Sequence, residues 1–246
     1  MIRFILTLIA VLVIFILSLP VYLIFLIFGL FSKTLKDKAS LSVAKMFFSV
    51  VLFISGCKVS FMGEELIPSD TSVLYVGNHR SFFDVIITGT RLKFPSTYIA
   101  KKEFDKVPIL NLWMHAIHCF MLDRSDIKAG LKMVLDAIEY VKTGGSIFVF
   151  PEGTRNTTNE LLLPFKDGAF KISTKSGCPI VPVAISNTAS VFEEHLPFIK
   201  KQKVIIHYLD PIYPSKLEKE ELKNIGKLIS ERLSKALVED RKLINN

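Results

Sequence analysis

His79 and Asp84 are the residues of this 246-residue chain whose types and spacing most directly imply acid–base chemistry. They lie in Gly77-Asn78-His79-Arg80-Ser81-Phe82-Phe83-Asp84, directly after the apolar run Ser72-Val73-Leu74-Tyr75-Val76, which reads as a buried strand. A strand end is where α/β folds place their chemistry. Five residues apart, the pair points to different faces of a continuous helix and to opposite faces of a strand, so the side chains meet only across a turn. Ser81 supplies one: Ser-Phe-Phe-Asp fits a capping box that starts a helix at Phe82, leaving His79 outside and Asp84 in the first turn. A carboxylate held there orients the imidazole and stabilises its protonated form, as a general base requires. A plainer reading keeps Asp84 as a helix cap and His79 as a solvated loop residue.

A second charged turn repeats the pattern. Ser146 to Phe150 is a continuous apolar strand, and Pro151-Glu152-Gly153-Thr154-Arg155 turns out of its end. Arg155 suits a phosphate monoester, because its guanidinium is a planar, bidentate set of donors that never loses its charge. The plainer alternative is an exposed Glu152–Arg155 ion pair worth little. Lys101 follows the strand Thr97 to Ala100, and with Arg124 it could complete an anion site for the same phosphate. Either could instead be a solvated basic residue.

The elements that must position these turns alternate between strand-like and helix-like patterns, as in an α/β domain. Strands are expected at about 58–62, 72–77, 97–100, 118–122, 146–150, 179–185 and 203–209. Ile127, Leu131, Val134, Leu135, Ile138 and Val141 recur at helical spacing and predict one apolar face, ended by Thr143-Gly144-Gly145. A last amphipathic helix carries Leu222, Ile225, Leu228, Ile229 and Leu233. No boundary or linker interrupts the chain after about residue 57.

No charge occurs from Phe4 through Ser32, more than the roughly 20 residues that cross a hydrocarbon core. The run is too long for a signal peptide and lacks a cleavage site. Pro20 divides it, so a kinked single span and a shallow hairpin within one leaflet both fit. Lys33, Lys36 and Lys38 outnumber Arg3, which for a single span leaves the remainder of the chain in the cytoplasm. Ser42 to Ile54, with only Lys45, is expected on or in the membrane as well, or else as a buried core helix. The net charge of +8 suits an anionic membrane; a nucleic-acid partner is not expected, because the basic residues are dispersed and no nucleic-acid motif accompanies them. Cys57, Cys119 and Cys178 are isolated and give no disulfide framework. His115 and His118 have a metal-like spacing beside Cys119, but without further ligands packing is favoured and no metal is expected. A serine hydrolase lacks its GxSxG, and no Gly-rich nucleotide loop is present.

Asn78-His79, four residues and Asp84 together resemble the first motif of the glycerolipid acyltransferases, the family of 1-acyl-sn-glycerol-3-phosphate acyltransferases. Phe150-Pro151-Glu152-Gly153-Thr154-Arg155 resembles their third motif at every position, and Ile180-Val181-Pro182-Val183 their fourth. Of the second motif, Lys101-Lys102-Glu103 and Leu122-Asp123-Arg124 are as expected, whereas Asn111 and His118 stand where many relatives carry glycine. The resemblance runs from about Val59 to Ile212.

It implies an α/β fold, a mixed central sheet flanked by helices, with membrane-anchoring helices in residues 1–57 and a catalytic domain in residues 58–246. It implies transfer of a fatty acyl group from acyl-CoA or acyl-carrier protein to the sn-2 hydroxyl of 1-acyl-sn-glycerol-3-phosphate, with no cofactor. His79 and Asp84 would be catalytic; Glu152, Gly153, Thr154 and Arg155, with Lys101 and Arg124, would hold the acceptor; Asn78, Pro151, Val181, Pro182 and Val183 would support the site. The expected setting is the inner or cytoplasmic membrane, with the catalytic domain facing the cytoplasm and the bilayer as a partner. Another lysolipid, such as a lyso-aminolipid, is the alternative acceptor. A non-catalytic protein holding anionic lipid is the alternative of another class, and the intact motifs argue against it.

Overall fold

The computed structural model describes residues 1–245. Seven apolar segments pair into one sheet: β1 Lys58–Met62, β2 Leu74–Gly77, β3 Ser96–Lys101, β4 Phe120–Leu122, β5 Ser146–Val149, β6 Ile180–Ser186 and β7 Lys203–Tyr208, in the order β1-β7-β6-β2-β5-β3-β4. Strands β2 to β6 are mutually parallel, β7 runs antiparallel to β6, and β1 is parallel to β7, so the sheet is mixed as expected. The central strands are apolar without alternation because helices cover both faces. On one face Leu74, Val76, Ile147 and Val149 pack under α5 (Ile127–Lys142), α6 (Lys171–Ser176) and α8 (Ile225–Asn245). On the other, Tyr75, Phe148, Val181 and Val183 pack with Phe83 and Ile87 of α3 (Phe82–Gly89). The strands fall within about two residues of the expected positions.

Two expectations about helices are corrected. The apolar face predicted for α5 divides in two: Ile138 and Val141 join Met133 and Ala137 in the core, while Ile127, Leu131 and Leu135 are 88%, 58% and 54% exposed. A helix lying on a sheet buries about one stripe, and here that stripe is centred on Ala137, whose small side chain allows close approach. The last helix is broken at Asn224, so Leu222 belongs to a separate short α7 (Lys219–Lys223).

The N-terminal run also differs in where it bends. Pro20 lies inside a continuous α1 (Ile2–Phe31), and the reversal comes at Ser32, whose hydroxyl accepts a hydrogen bond from Leu35 N (3.2 Å) and caps α2 (Lys33–Ser55). Proline removes a single N–H, and the apolar helix formers on either side carry α1 through it; the polar Ser-Lys-Thr segment after Phe31 is a better place to stop. The two helices pack along one another and along the sheet domain. Phe4 stacks on Phe192 (5.9 Å between ring centroids), and Trp113 of α4 (Leu110–Ala116) donates to Ser18 (2.8 Å). Asp37 pairs with His118 (2.9 Å), and Lys45 donates to Leu92 O (3.0 Å). Outside these contacts α1 leaves most apolar side chains exposed, Leu30 and Phe31 by 82% and 84%. Both helices are long and apolar enough to cross a membrane by length and composition, and Leu41 and Val51 of α2 are buried against the protein.

Candidate active site

The two charged turns leave β2 and β5, which are neighbours in the sheet and end at the same edge. Asn78 continues the β2–β6 ladder after the strand backbone has stopped: its amide donates to Ile185 O (2.9 Å) and accepts from Ile185 N (2.8 Å), as a peptide group would. His79 is then fixed through its own backbone. Its N–H donates to Glu152 Oε1 (2.7 Å), and its carbonyl accepts from Asn156 N (2.7 Å). The turn after β5 thus clamps the residue after β2.

Asp84 is both a helix cap and the partner of His79. Oδ2 accepts from His79 Nδ1 (2.8 Å), Arg80 N (2.7 Å) and Ser81 N (2.8 Å), and Oδ1 accepts from Thr188 Oγ1 (2.5 Å). Ser81 completes the capping box by accepting from Phe83 N. The Asp84 carboxylate is fully buried, while the His79 side chain is 18% exposed. With Nδ1 facing a carboxylate, the neutral imidazole carries its proton there, a tautomer assigned from the hydrogen bond. Nε2 is left as the basic nitrogen. The ring lies flat on Phe150 (4.2 Å, 22° between planes), which prevents it from turning away.

The remaining predicted residues are placed differently from one another. Glu152 is buried, and its two oxygens accept from His79 N and Leu163 N (2.8 Å), so the carboxylate points inward. Burial raises its pKa, and the two backbone donors oppose that rise. Gly153 adopts φ +72°, the left-handed region that glycine enters without a Cβ penalty. Pro151 is buried, with its carbonyl accepting from Lys166 N (2.9 Å), and Thr154 is exposed. Arg155 lies over the Phe82 ring (3.9 Å from Cζ to the centroid) and touches Glu193 through one nitrogen (3.3 Å), with its side chain 35% exposed.

Lys101 and Arg124 stand at the ends of β3 and β4 on the same edge, both exposed; Lys101 pairs with Glu103, at 3.6 Å. Val181, Pro182 and Val183 are buried in β6. Pro182 is tolerated in this interior strand because it lies outside the β6–β7 ladder: Leu209 N donates to Pro182 O (2.9 Å), and Ile180 meets Ile212 in an isolated bridge. His118 has φ +58°, the left-handed region that glycine enters most readily. Asn111 donates to Asp105 O (2.9 Å). His115 turns to Asp105 (3.0 Å) and His118 to Asp37, so the two rings serve separate partners. Among the described residues no group of three or more His, Cys, Asp or Glu gathers as a metal site.

Four residues that complete this arrangement escaped the sequence reading: Thr188, Glu193, Asn156 and Phe150 in its stacking role. Thr188 and Asp84 are 104 positions apart and Glu193 and Ser81 112 apart, and no local pattern marks either pairing. A cavity of about 320 Å³ lies on the α3 face of the sheet, walled by Tyr75, Phe148 and Tyr208. Its rim carries Glu64, Glu65, Arg91 and Lys93, and His79 is not among its walls.

A family model described as Acyltransferase matches residues 58–186. The chain is 31% identical over 198 residues to the 1-acyl-sn-glycerol-3-phosphate acyltransferase of Saccharomyces cerevisiae, covering 80% of this chain and 65% of that protein. It is 30% identical over 188 residues to the enzyme of the same name from Borreliella burgdorferi, covering 76% and 75%. The crystal structure of the 1-acyl-sn-glycerophosphate (LPA) acyltransferase from Thermotoga maritima superposes with a TM-score of 0.75 at 26% identity, over 97% of this chain and 98% of that one.

Proposed function

The chain belongs to the acyltransferase family, and from that premise we propose that it transfers a fatty acyl group from a thioester donor, acyl-CoA or acyl-carrier protein, to the free hydroxyl of lysophosphatidic acid. The observation that carries this reading is the His79 Nδ1–Asp84 contact at 2.8 Å, which leaves Nε2 as a base on the same sheet edge as Arg155. The relatives' shared name supports the acceptor.

In the reaction, Nε2 of His79 takes the acceptor hydroxyl proton as that oxygen attacks the thioester carbonyl. Asp84 stabilises the imidazolium. The tetrahedral intermediate collapses by breaking the C–S bond, and the departing thiolate takes back the proton from Nε2. The acceptor oxygen is itself the nucleophile, so no acyl-enzyme forms.

Arg155 holds the acceptor phosphate, with Lys101 and Arg124 adding longer-range attraction along the same edge. We assign Glu152 to positioning, since its oxygens already hold the His79 and Leu163 amides. Gly153 permits that turn, and Asn78, Pro151, Val181, Pro182 and Val183 support it from the sheet.

The exposed apolar side of α1 and α2 is proposed to enter a bilayer. Contacts from Phe4 through Lys45 hold the pair along the domain, which favours immersion in one leaflet over a single crossing. The basic cluster Lys33, Lys36 and Lys38 then stays at the lipid surface, with the catalytic domain on the cytoplasmic side.

The test is the purified protein offered a panel of lysolipids with acyl-CoA and with acyl-carrier-protein donors, read by product mass. Phosphatidic acid as the main product is expected. Preference for a lyso-aminolipid, or binding of anionic lipid without product, overturns the assignment.

A further inference from the structure

Glu193 has no part in the reaction as derived so far, yet it is bound into the site on three sides. Oε1 accepts from Phe82 N (2.8 Å) and from Arg155 Nη1 (3.3 Å), and Oε2 accepts from Ser81 Oγ (2.6 Å). Its side chain is only 16% exposed. The segment that carries it is anchored at both ends. Thr188 is bonded to Asp84, Val191 O accepts from Lys200 N (2.8 Å), and Phe192 stacks on Phe4 of α1. Glu193 is therefore a fixed negative charge beside Arg155, and it cannot swing aside as a solvated side chain would.

Resting on the reading of Arg155 as the phosphate-binding cation, we propose that Glu193 is a specificity-determining residue: an internal carboxylate that partly neutralises Arg155 and so limits how tightly the site holds a phosphate monoester. Acceptor and product carry the same phosphate, and an uncompensated arginine would retain both. Two effects of the carboxylate oppose each other. It steadies one edge of the guanidinium, which favours phosphate binding, and it repels the incoming dianion, which disfavours it. The steadying contact is a single long hydrogen bond, and the Phe82 ring already fixes the guanidinium plane. The repulsion is between full charges in a partly desolvated site, and it is the larger effect.

The test compares Glu193→Gln with Glu193→Asp and Arg155→Lys. The glutamine carbonyl still accepts from Phe82 N, and Ser81 can turn to meet the amide, so the helix cap survives. With Glu193→Gln, the KM for lysophosphatidic acid and the Ki of glycerol 3-phosphate should both fall by about tenfold, the order expected for removing one partly screened charge. The KM for a lysophosphodiester acceptor should move by less than about twofold, and Glu193→Asp, which keeps the charge, should stay closer to wild type than Glu193→Gln does. An unchanged or raised KM for lysophosphatidic acid in Glu193→Gln overturns the proposal, as does an equal fall for both acceptors. If Arg155→Lys also leaves lysophosphatidic acid unaffected, the phosphate role of Arg155 fails and the proposal falls with it. If Glu193→Gln fails in this way while Arg155→Lys still weakens that acceptor alone, only the role of Glu193 is lost.

Discussion

His79 and Asp84 sit where backbone ends, a helix cap, Thr188, Glu152 and the Phe150 ring all constrain the same few atoms. Along the same sheet edge Arg155 is held by a ring face and one long contact to Glu193, Lys101 by one exposed ion pair, and Arg124 is exposed. Under the proposed function, the contrast follows from what each half would do. Proton transfer depends on placing Nε2 to within a fraction of an ångström, and a buried partner charge is strongest where water is excluded. In the proposed reaction a phosphate arrives from solvent or a lipid surface and leaves again, so the residues assigned to it stay accessible.

The sharpest way to break this contrast is His79→Ala. Turnover should fall by a factor on the order of 10²–10⁴ in a protein that still folds, with stability lowered by about 1–3 kcal/mol, because the buried Asp84 carboxylate loses one donor while the backbone clamps remain. Near-normal turnover removes His79 from the chemistry. Asp84→Asn comes next. With its amide nitrogen toward Thr188, which can turn its hydroxyl to accept, the remaining oxygen still receives His79, Arg80 and Ser81. The charge is lost, so kcat should drop by about 10²–10³ for a stability cost of about 1 kcal/mol. A stability collapse with full turnover per folded molecule makes Asp84 a cap only. Glu152→Gln sharpens the boundary between the two halves. The glutamine amide cannot accept from both His79 N and Leu163 N, so stability should fall by about 1–3 kcal/mol. Turnover should fall about tenfold through displacement of His79, and an effect confined to acceptor KM would return Glu152 to head-group binding. The smallest effects belong to Lys101→Gln and Arg124→Gln, each raising acceptor KM by about twofold or less, as exposed charges do. A loss beyond tenfold for either would make it a direct phosphate ligand.

Much of this arrangement was legible in the sequence, for local reasons. Each strand is an apolar run between turn residues, and the Ser81–Asp84 capping box is encoded within four positions. The strand order that brings the turns after β2 and β5 together is set by long-range pairing and is not written in any local pattern. What the sequence withheld depends on distance or direction. Helical spacing marks the apolar positions of α5 but not which stripe the sheet covers, so Ile127, Leu131 and Leu135 emerged exposed. A glutamate in a turn reads the same whether it faces solvent or, as Glu152 does, two buried amides. Thr188 and Glu193 reach the site from beyond β6 through contacts no periodicity records. Pro20 looked like the place where the N-terminal run would kink or reverse because its chemistry is conspicuous, while Ser32 is an ordinary cap.

The division between a buried chemical half and a solvent-accessible recognition half is tested most directly by kcat and KM for lysophosphatidic acid and for a lysophosphodiester, in wild type, His79→Ala and Arg155→Lys. His79→Ala should lower kcat for both acceptors by the same large factor. Arg155→Lys keeps a charge but loses the bidentate fork, and should raise KM for the phosphomonoester by about tenfold while the diester changes little. Equal losses on both acceptors in Arg155→Lys would contradict the account, as would a His79→Ala enzyme that still turns over normally.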